Sequence, residues 1–264
     1  MTDALEVLVE KDEGVAIVTL NRPDRLNALT SSIMEQLRSA IISVAEDDGV
    51  GCVILTGSGR GFCAGGDLKD GGRDRFEVTP EKGSRIEQSN AQLRRFMQSS
   101  ELLHDMGKPT IAMINGPVAG AGVGLAGACD LRFAGESASF VTAFDRIGAG
   151  GDFGSSYFWT KILGTGVARE LFLLSEKLSA QEAFAKGIYT KLFPDAELCA
   201  ATLAVAHRLA NGPRMGWRYM KANLNKAEAA SFGDALDHEA LNMTLSTTAT
   251  GVIWKAAQKA KEGG

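Results

Sequence analysis

A chain of 264 residues, 45% hydrophobic and with a mean hydropathy of −0.02, is long enough to bury a sizeable core in one large domain or one domain with an appendage. Its net charge of −4 excludes a dedicated nucleic-acid surface, which needs a basic excess to neutralise phosphates. The N-terminal segment has no basic region followed by an apolar core, and no run reaches the roughly 20 apolar residues that cross a membrane. A soluble, cytoplasmic protein is therefore expected. Cys52, Cys63, Cys129 and Cys199 show no paired metal-ligand spacing and read as reduced thiols, so no metal site is expected.

In chain order, 5–9 and 15–20 are strand-like runs joined by Lys11-Asp12-Glu13-Gly14, an opening β-hairpin. The segment NRPDRLNALT breaks the sheet. From Ser31 to Ala45 apolar residues recur at helical spacing behind the capping hydroxyl of Thr30, which predicts an amphipathic helix. Residues 53–56 give a third strand, closed by the glycine-rich turn GSGRGFCAGGDL. The charged stretch from Asp70 to Ser84 reads as a mobile loop, and one helix is predicted from Ile86 to Met106.

The centre of the chain is Lys108 to Asp130, KPTIAMINGPVAGAGVGLAGACD. A buried strand at 110–114 stops at Asn115-Gly116-Pro117, and a helix of small residues follows. A helix start poor in Cβ atoms leaves its unpaired N–H groups open to a ligand, which suits an oxyanion. Gly122 to Gly127 also matches the dinucleotide fingerprint G-x-G-x-x-G. It is separated from the strand by a turn and has no clear acidic residue ending the next strand, so that reading is set aside.

Strands at 131–134 and 139–141 precede a third glycine-rich turn, RIGAGGDFGSS. The alternation of strand and helix predicts an α/β fold with ligand sites on the loops leaving the strands. After Lys191 four helices are predicted, at 197–209, 213–224, 232–245 and 248–260. The division is thus a core over 1–195 and a helical section over 196–264, whose apolar faces call for docking on the core or on another subunit.

Four segments in order and spacing carry a family likeness: NRPDRLNALT, GRGFCAGGDL, KPTIAMINGPVAGAGVGLAGACDLRFAGESASF and ARELFLLSEKLSAQEAFAKGIYTKLF. Together they resemble the crotonase (enoyl-CoA hydratase/isomerase) family along nearly the whole chain. The resemblance implies a spiral of ββα units, a helical C-terminal section that assembles trimers or hexamers, and an acyl-CoA thioester as substrate. No cofactor is implied beyond the coenzyme A that is part of that substrate. The oxyanion donors it implies are the N–H groups of Gly66 and Ala121. Arg25, Leu26, Ala28, Ala64, Asp67, Leu68 and Lys69 would flank coenzyme A. Arg25, Lys69 and Lys255 read equally as phosphate contacts and as solvated surface cations.

Hydratases of the family use two glutamates, and here their places hold Gly124 and Phe144. The resemblance points to Asp152, at a position where family members that shift double bonds, and aryl-CoA dehalogenases, carry a working aspartate, and the aromatic residues around it should raise its pKa. It could move a proton between two carbons of an acyl chain, or cap the helix that follows. Asp145 is expected to face solvent. Gly122, Gly124, Phe144 and Met97 would line the substrate pocket. Aryl-CoA dehalogenases carry a tryptophan and a histidine where this chain has Phe144 and Met97, which disfavours that chemistry; the histidines, His104, His207 and His238, read as surface or helix-face residues. With both glutamates missing, a non-catalytic acyl-CoA-binding role stays open.

Overall fold

The N-terminal hairpin forms between β1 (Val7–Asp12) and β2 (Val15–Leu20), turning at Glu13 and Gly14, both at positive φ. The computed structural model that shows this describes residues 5–68 and 83–250. Beyond the hairpin come β3 (Cys52–Gly57), β4 (Thr110–Ile114), β6 (Leu131–Gly135) and β9 (Lys191–Phe193), each parallel to its predecessor in one sheet. A second sheet joins β5 (Pro117–Ala119), β7 (Ser139–Val141) and β8 (Leu178–Ser179).

The chain visits the large sheet, then the small one, then a helix. After β4 and β5 comes α4 (Ala121–Ala128), and after β6 and β7 comes α5 (Ser155–Leu174). Both faces of the large sheet are covered, as its mostly parallel strands require. Val53 and Leu55 of β3 pack with Ile33, Leu37 and Ile41 of α1 (Ser31–Glu46) on one face. Cys52 and Ile54 face Leu198, Ala206 and Ala210 of α7 (Asp195–Ala210) on the other. Thr30 caps α1 as expected, accepting from Ile33 N at 3.1 Å, and Lys108 closes its other end by donating to the carbonyls of Val44 and Asp47.

The single helix expected over 86–106 is two, α2 (Gly83–Phe96) and α3 (Gln98–Asp105), parted at Met97. The Ser99 and Ser100 hydroxyls donate to the carbonyls of Phe96 and Met97, a local bond that competes with the helical ladder. Of the loop expected over 70–84, Gly83 and Ser84 belong to α2 and the rest lies outside the described residues. Helix α5, kinked at Gly164, is the helix expected after Asp152, and the short α6 (Ala180–Ala185) has no counterpart in the sequence-based assignment.

In the C-terminal section α8 (Arg214–Ala227) is anchored by Lys221. Its buried ammonium donates to Leu103 O and meets the Asp130 carboxylate at 2.9 Å. No break separates the third and fourth predicted helices: α9 runs from Phe232 to Thr250, and the remainder of the fourth lies outside the described residues. Thr244 and Thr247 donate to the carbonyls of Ala240 and Met243, so their hydroxyls are satisfied without leaving the helix.

Candidate active site

Two loops run side by side at the mouth of the sheet. The first follows β2 through a 3₁₀ turn at Pro23–Arg25, and Leu26 and Asn27 then adopt positive φ of 49° and 57°. The second follows β3 through Gly61 to Asp67. Asn27 holds them together from complete burial: its amide donates to the carbonyls of Ser58, Gly61 and Phe62, and its oxygen accepts from Arg22 N. Ala64 N donates to Leu26 O, Leu29 N to Gly65 O and Asp67 N to Leu29 O. Asp67 is ion-paired with Arg22. Leu26, Ala28, Ala64, Asp67 and Leu68 thus lie along one seam, with Arg25 exposed at its edge. Lys69 and Lys255 lie outside the described residues.

The seam leaves Gly66 available. Successive N–H groups of an extended strand point to opposite sides, and the Asp67 N–H is the one that faces Leu29. The Gly66 N–H therefore points the other way. Gly66 is exposed, and nothing stands within 4 Å of where its Cβ would be.

The second donor comes from α4. Ala121 is its first residue, so the Ala121 N–H belongs to the orphan donors of a helix start, where the dipole is positive. Contact between the two turns depends on Gly65, at φ +87°. A Cβ there would lie 3.0 Å from Ala119 O and 3.3 Å from Ala121 N. Ala119 N donates to Cys63 O at 2.9 Å and completes the lock. On the same helix a Cβ on Gly122 would meet Cys63 O at 2.7 Å, so this glycine is required by the packing of the donor turn.

The third glycine-rich turn meets α4 at Gly124, where a Cβ would fall 2.7 Å from both Phe153 Cβ and Phe153 O, and 3.0 Å from Asp152 O. The backbone at Asp152 and Phe153 fills the space a longer side chain at 124 would need. That turn is held under strain: Gly151, Phe153 and Gly154 all have positive φ, and Phe153 is bulky and buried. Trp159, donating to Val123 O at 3.0 Å, fastens α5 to α4 just beyond it.

Asp152 does not cap α5. The N-cap is Gly154, the Asp152 carbonyl accepts from Ser155 N, and the Asp152 carboxylate has no hydrogen-bond partner among the described residues. Burial pushes its pKa up to about 6, a value suited to exchanging protons near neutrality. Burial pushes the Cys63 thiol, packed beneath Gly122, up to about 12, so it stays neutral. Phe144 is buried and stacks on Phe172 with centroids 5.9 Å apart, while Asp145 is exposed. Met97 packs half-buried against the main core. His104 lies 3.5 Å from Glu228, His207 pairs with Asp12 and His238 with Asn223; none bonds Asp152.

Sequence reasoning missed Asn27, Arg22 and the Tyr157–Glu228 bond of 2.6 Å that ties the start of α5 to the α8–α9 turn. Asn27 had a signal, since Asn is the side chain most at ease at positive φ in a loop between strand and helix. The other two pairings join residues 45 and 71 positions apart and leave no local trace.

Two glycine-rich turns meet at a helix start whose first N–H groups have no helical partner, an arrangement that could stabilise a carbonyl oxyanion. Residues 10–259 match the family model described as Enoyl-CoA hydratase/isomerase, and the chain belongs to that family, the crotonases. It has the mixed α/β crotonase fold with a helical C-terminal region, and it is an acyl-CoA enzyme of that family. The 1,2-epoxyphenylacetyl-CoA isomerase of Escherichia coli is 36% identical over 234 residues, 88% of this chain and 87% of the relative. The 4-chlorobenzoyl coenzyme A dehalogenase-2 of Arthrobacter is 31% identical over 91% of this chain and 85% of its own. An enoyl-CoA hydratase structure from Bacillus anthracis superposes with a TM-score of 0.86 at 26% identity, covering 98% of this chain and 96% of that one.

Proposed function

We propose that this enzyme shifts a double bond of an enoyl- or dienoyl-CoA, with Asp152 carrying the proton and the N–H groups of Gly66 and Ala121 holding the thioester enolate. The observation that carries this reading is the Asp152 carboxyl, buried, without a hydrogen-bond partner among the described residues and poised at about 6. One carboxylate suffices for isomerisation, because the group that removes a proton from one carbon can return it two carbons away. Hydration through paired glutamates finds no support, since Gly124 is pressed against Phe153 and Phe144 is buried against Phe172. Dehalogenation is disfavoured by the same Phe144 and by Met97, neither of which can activate water.

One observation favours a second reading. The stacked Phe144 and Phe172 flank Gly151 next to Asp152, a wall suited to a flat ring, and the E. coli relative is named for a ring-bearing acyl-CoA. The same carboxylate and oxyanion donors would serve such a substrate.

Coenzyme A is assigned to the seam of Arg25, Leu26, Ala28, Ala64, Asp67 and Leu68. A homotrimer or hexamer is proposed from the apolar side chains left open on the C-terminal helices, Phe232 at 80% and Leu224 at 70% exposure. No described helix is long and apolar enough to cross a membrane. A cytoplasmic location suits an acyl-CoA substrate and the free thiols of Cys52, Cys63 and Cys129. The test is incubation with crotonyl-, 3-enoyl-, dienoyl- and aryl-CoA esters and an arylacetyl-CoA epoxide in deuterated water, followed by mass analysis. Isomerised product carrying deuterium supports the proposal; hydrated or dehalogenated product, or none, refutes it.

A further inference from the structure

Two buried polar atoms one turn apart stand without a partner: Asp152 Oδ1 and the hydroxyl oxygen of Ser155. Ser155 is 1% exposed and opens α5, so its hydroxyl is as enclosed as the core around it. Ser155 N donates to Asp152 O at 2.9 Å across Phe153 and Gly154, both at positive φ. This is a primed reverse turn, which brings the α-carbons of its first and last residues within about 7 Å. The hydroxyl also lies 3.3 Å from where a Cβ on Gly151 would stand, a point 3.9 Å from the Phe144 ring and 3.7 Å from that of Phe172. It is thus on the side of the turn that carries the aromatic wall.

Buried polar atoms are rarely left unsatisfied, and neither of these is reached by solvent as it stands, so a shared third group would be admitted when the two side chains turn towards it. The pair is complementary, because a hydroxyl donates and a carboxylate accepts. An oxygen bearing a hydrogen satisfies both: it accepts from Ser155 and donates to Asp152. We propose that Ser155 is a positioning residue of the proton-transfer site, holding one such oxygen, a water molecule or a hydroxyl of the acyl group, against the Asp152 carboxylate. This rests on Asp152 being the proton carrier. Held there, the oxygen stabilises the ionised carboxylate and fixes which of its oxygens faces the substrate carbon.

The test is Ser155→Ala, measured for melting temperature, for the pH profile of proton exchange and for binding of an unreactive acyl-CoA. The proposal predicts an unchanged or higher melting temperature, since the hydroxyl bonds no protein group among the described residues, with at least a five-fold slower exchange. The acid-side inflection moves up by at least half a pH unit, because the carboxylate loses the oxygen held against it, and acyl-CoA binding stays within two-fold. An effect seen equally on hydrocarbon and hydroxylated acyl groups identifies the oxygen as water, and one confined to hydroxylated acyl groups identifies it as the substrate's. A lower melting temperature with an unmoved inflection would show a structural serine and overturn the proposal, as would wild-type rate and profile. Asp152→Asn, run alongside, separates the two claims. If it exchanges normally both fail, whereas if it is inert and Ser155→Ala is normal, only the role of Ser155 fails.

Discussion

Replacing Asp152 by asparagine should make the protein more stable and inactive at once. The carboxyl has a pKa of about 6 in the folded protein against an ordinary value of 3.8, and burial is the cause. Below pH 3.8 it is protonated in both folded and unfolded chains and takes no part in the balance. As the pH rises through the folded value the native state must hold a buried charge that the unfolded chain exposes to water, so stability falls. At about 1.4 kcal/mol per pH unit, the full effect is at most about 3 kcal/mol above pH 7. For a chain of this size that corresponds to roughly 5–10 °C in melting temperature. Asparagine removes the charge but keeps a buried polar group, so the measured gain should be smaller. The assay is thermal unfolding of both proteins at pH 4 and pH 8, with a clear gain for the variant at pH 8 and little at pH 4. Equal melting at pH 8, or the same difference at both pH values, would refute the burial argument.

Three other outcomes follow from the same geometry. Ala121→Pro removes the second oxyanion donor at a first-turn helix position where proline is accommodated, so turnover should fall roughly a hundred- to a thousand-fold while acyl-CoA binding and melting temperature hold; steady-state kinetics and calorimetry check it. Gly124→Glu places a side chain where Phe153 stands 2.7 Å away, so it should lower stability by roughly 1–3 kcal/mol and confer no hydratase activity, as read by urea unfolding and a crotonyl-CoA assay. Asn27→Ala strips the clamp between the two loops and should lower stability by roughly 2–4 kcal/mol, with faster amide exchange at Gly61 and Ala64 measured by mass spectrometry.

The parts of the fold legible in the sequence are those with a local cause. The hairpin, α1 with its Thr30 cap, and β4 ending at Asn115 each follow from periodicity and turn chemistry within a few residues. The convergence of three glycine-rich turns was also legible, because each glycine marks a place where backbone comes close to something. What each glycine approaches was not: Gly124 looks like a vacant catalytic position until Phe153 is seen filling it. The break at Met97 was hidden because Ser99 and Ser100 fit helical spacing while their hydroxyls bond backwards. The Asp152 capping role, plausible for an aspartate ahead of a helix, fails because the chain turns through Phe153 and Gly154 first and starts the helix at Ser155. Asn27, Arg22 and Glu228 act across long sequence separations, and only the folded chain pairs them with the 57–67 turn and the start of α5.

The central claim is that one aspartate carries the proton, and it is tested most directly by hydrogen exchange into a 3-enoyl-CoA in deuterated water with wild type and Asp152→Asn. The wild-type enzyme should incorporate deuterium during conversion to the conjugated isomer, and the variant should bind the thioester while incorporating none. Incorporation by the variant at the wild-type rate would contradict the account.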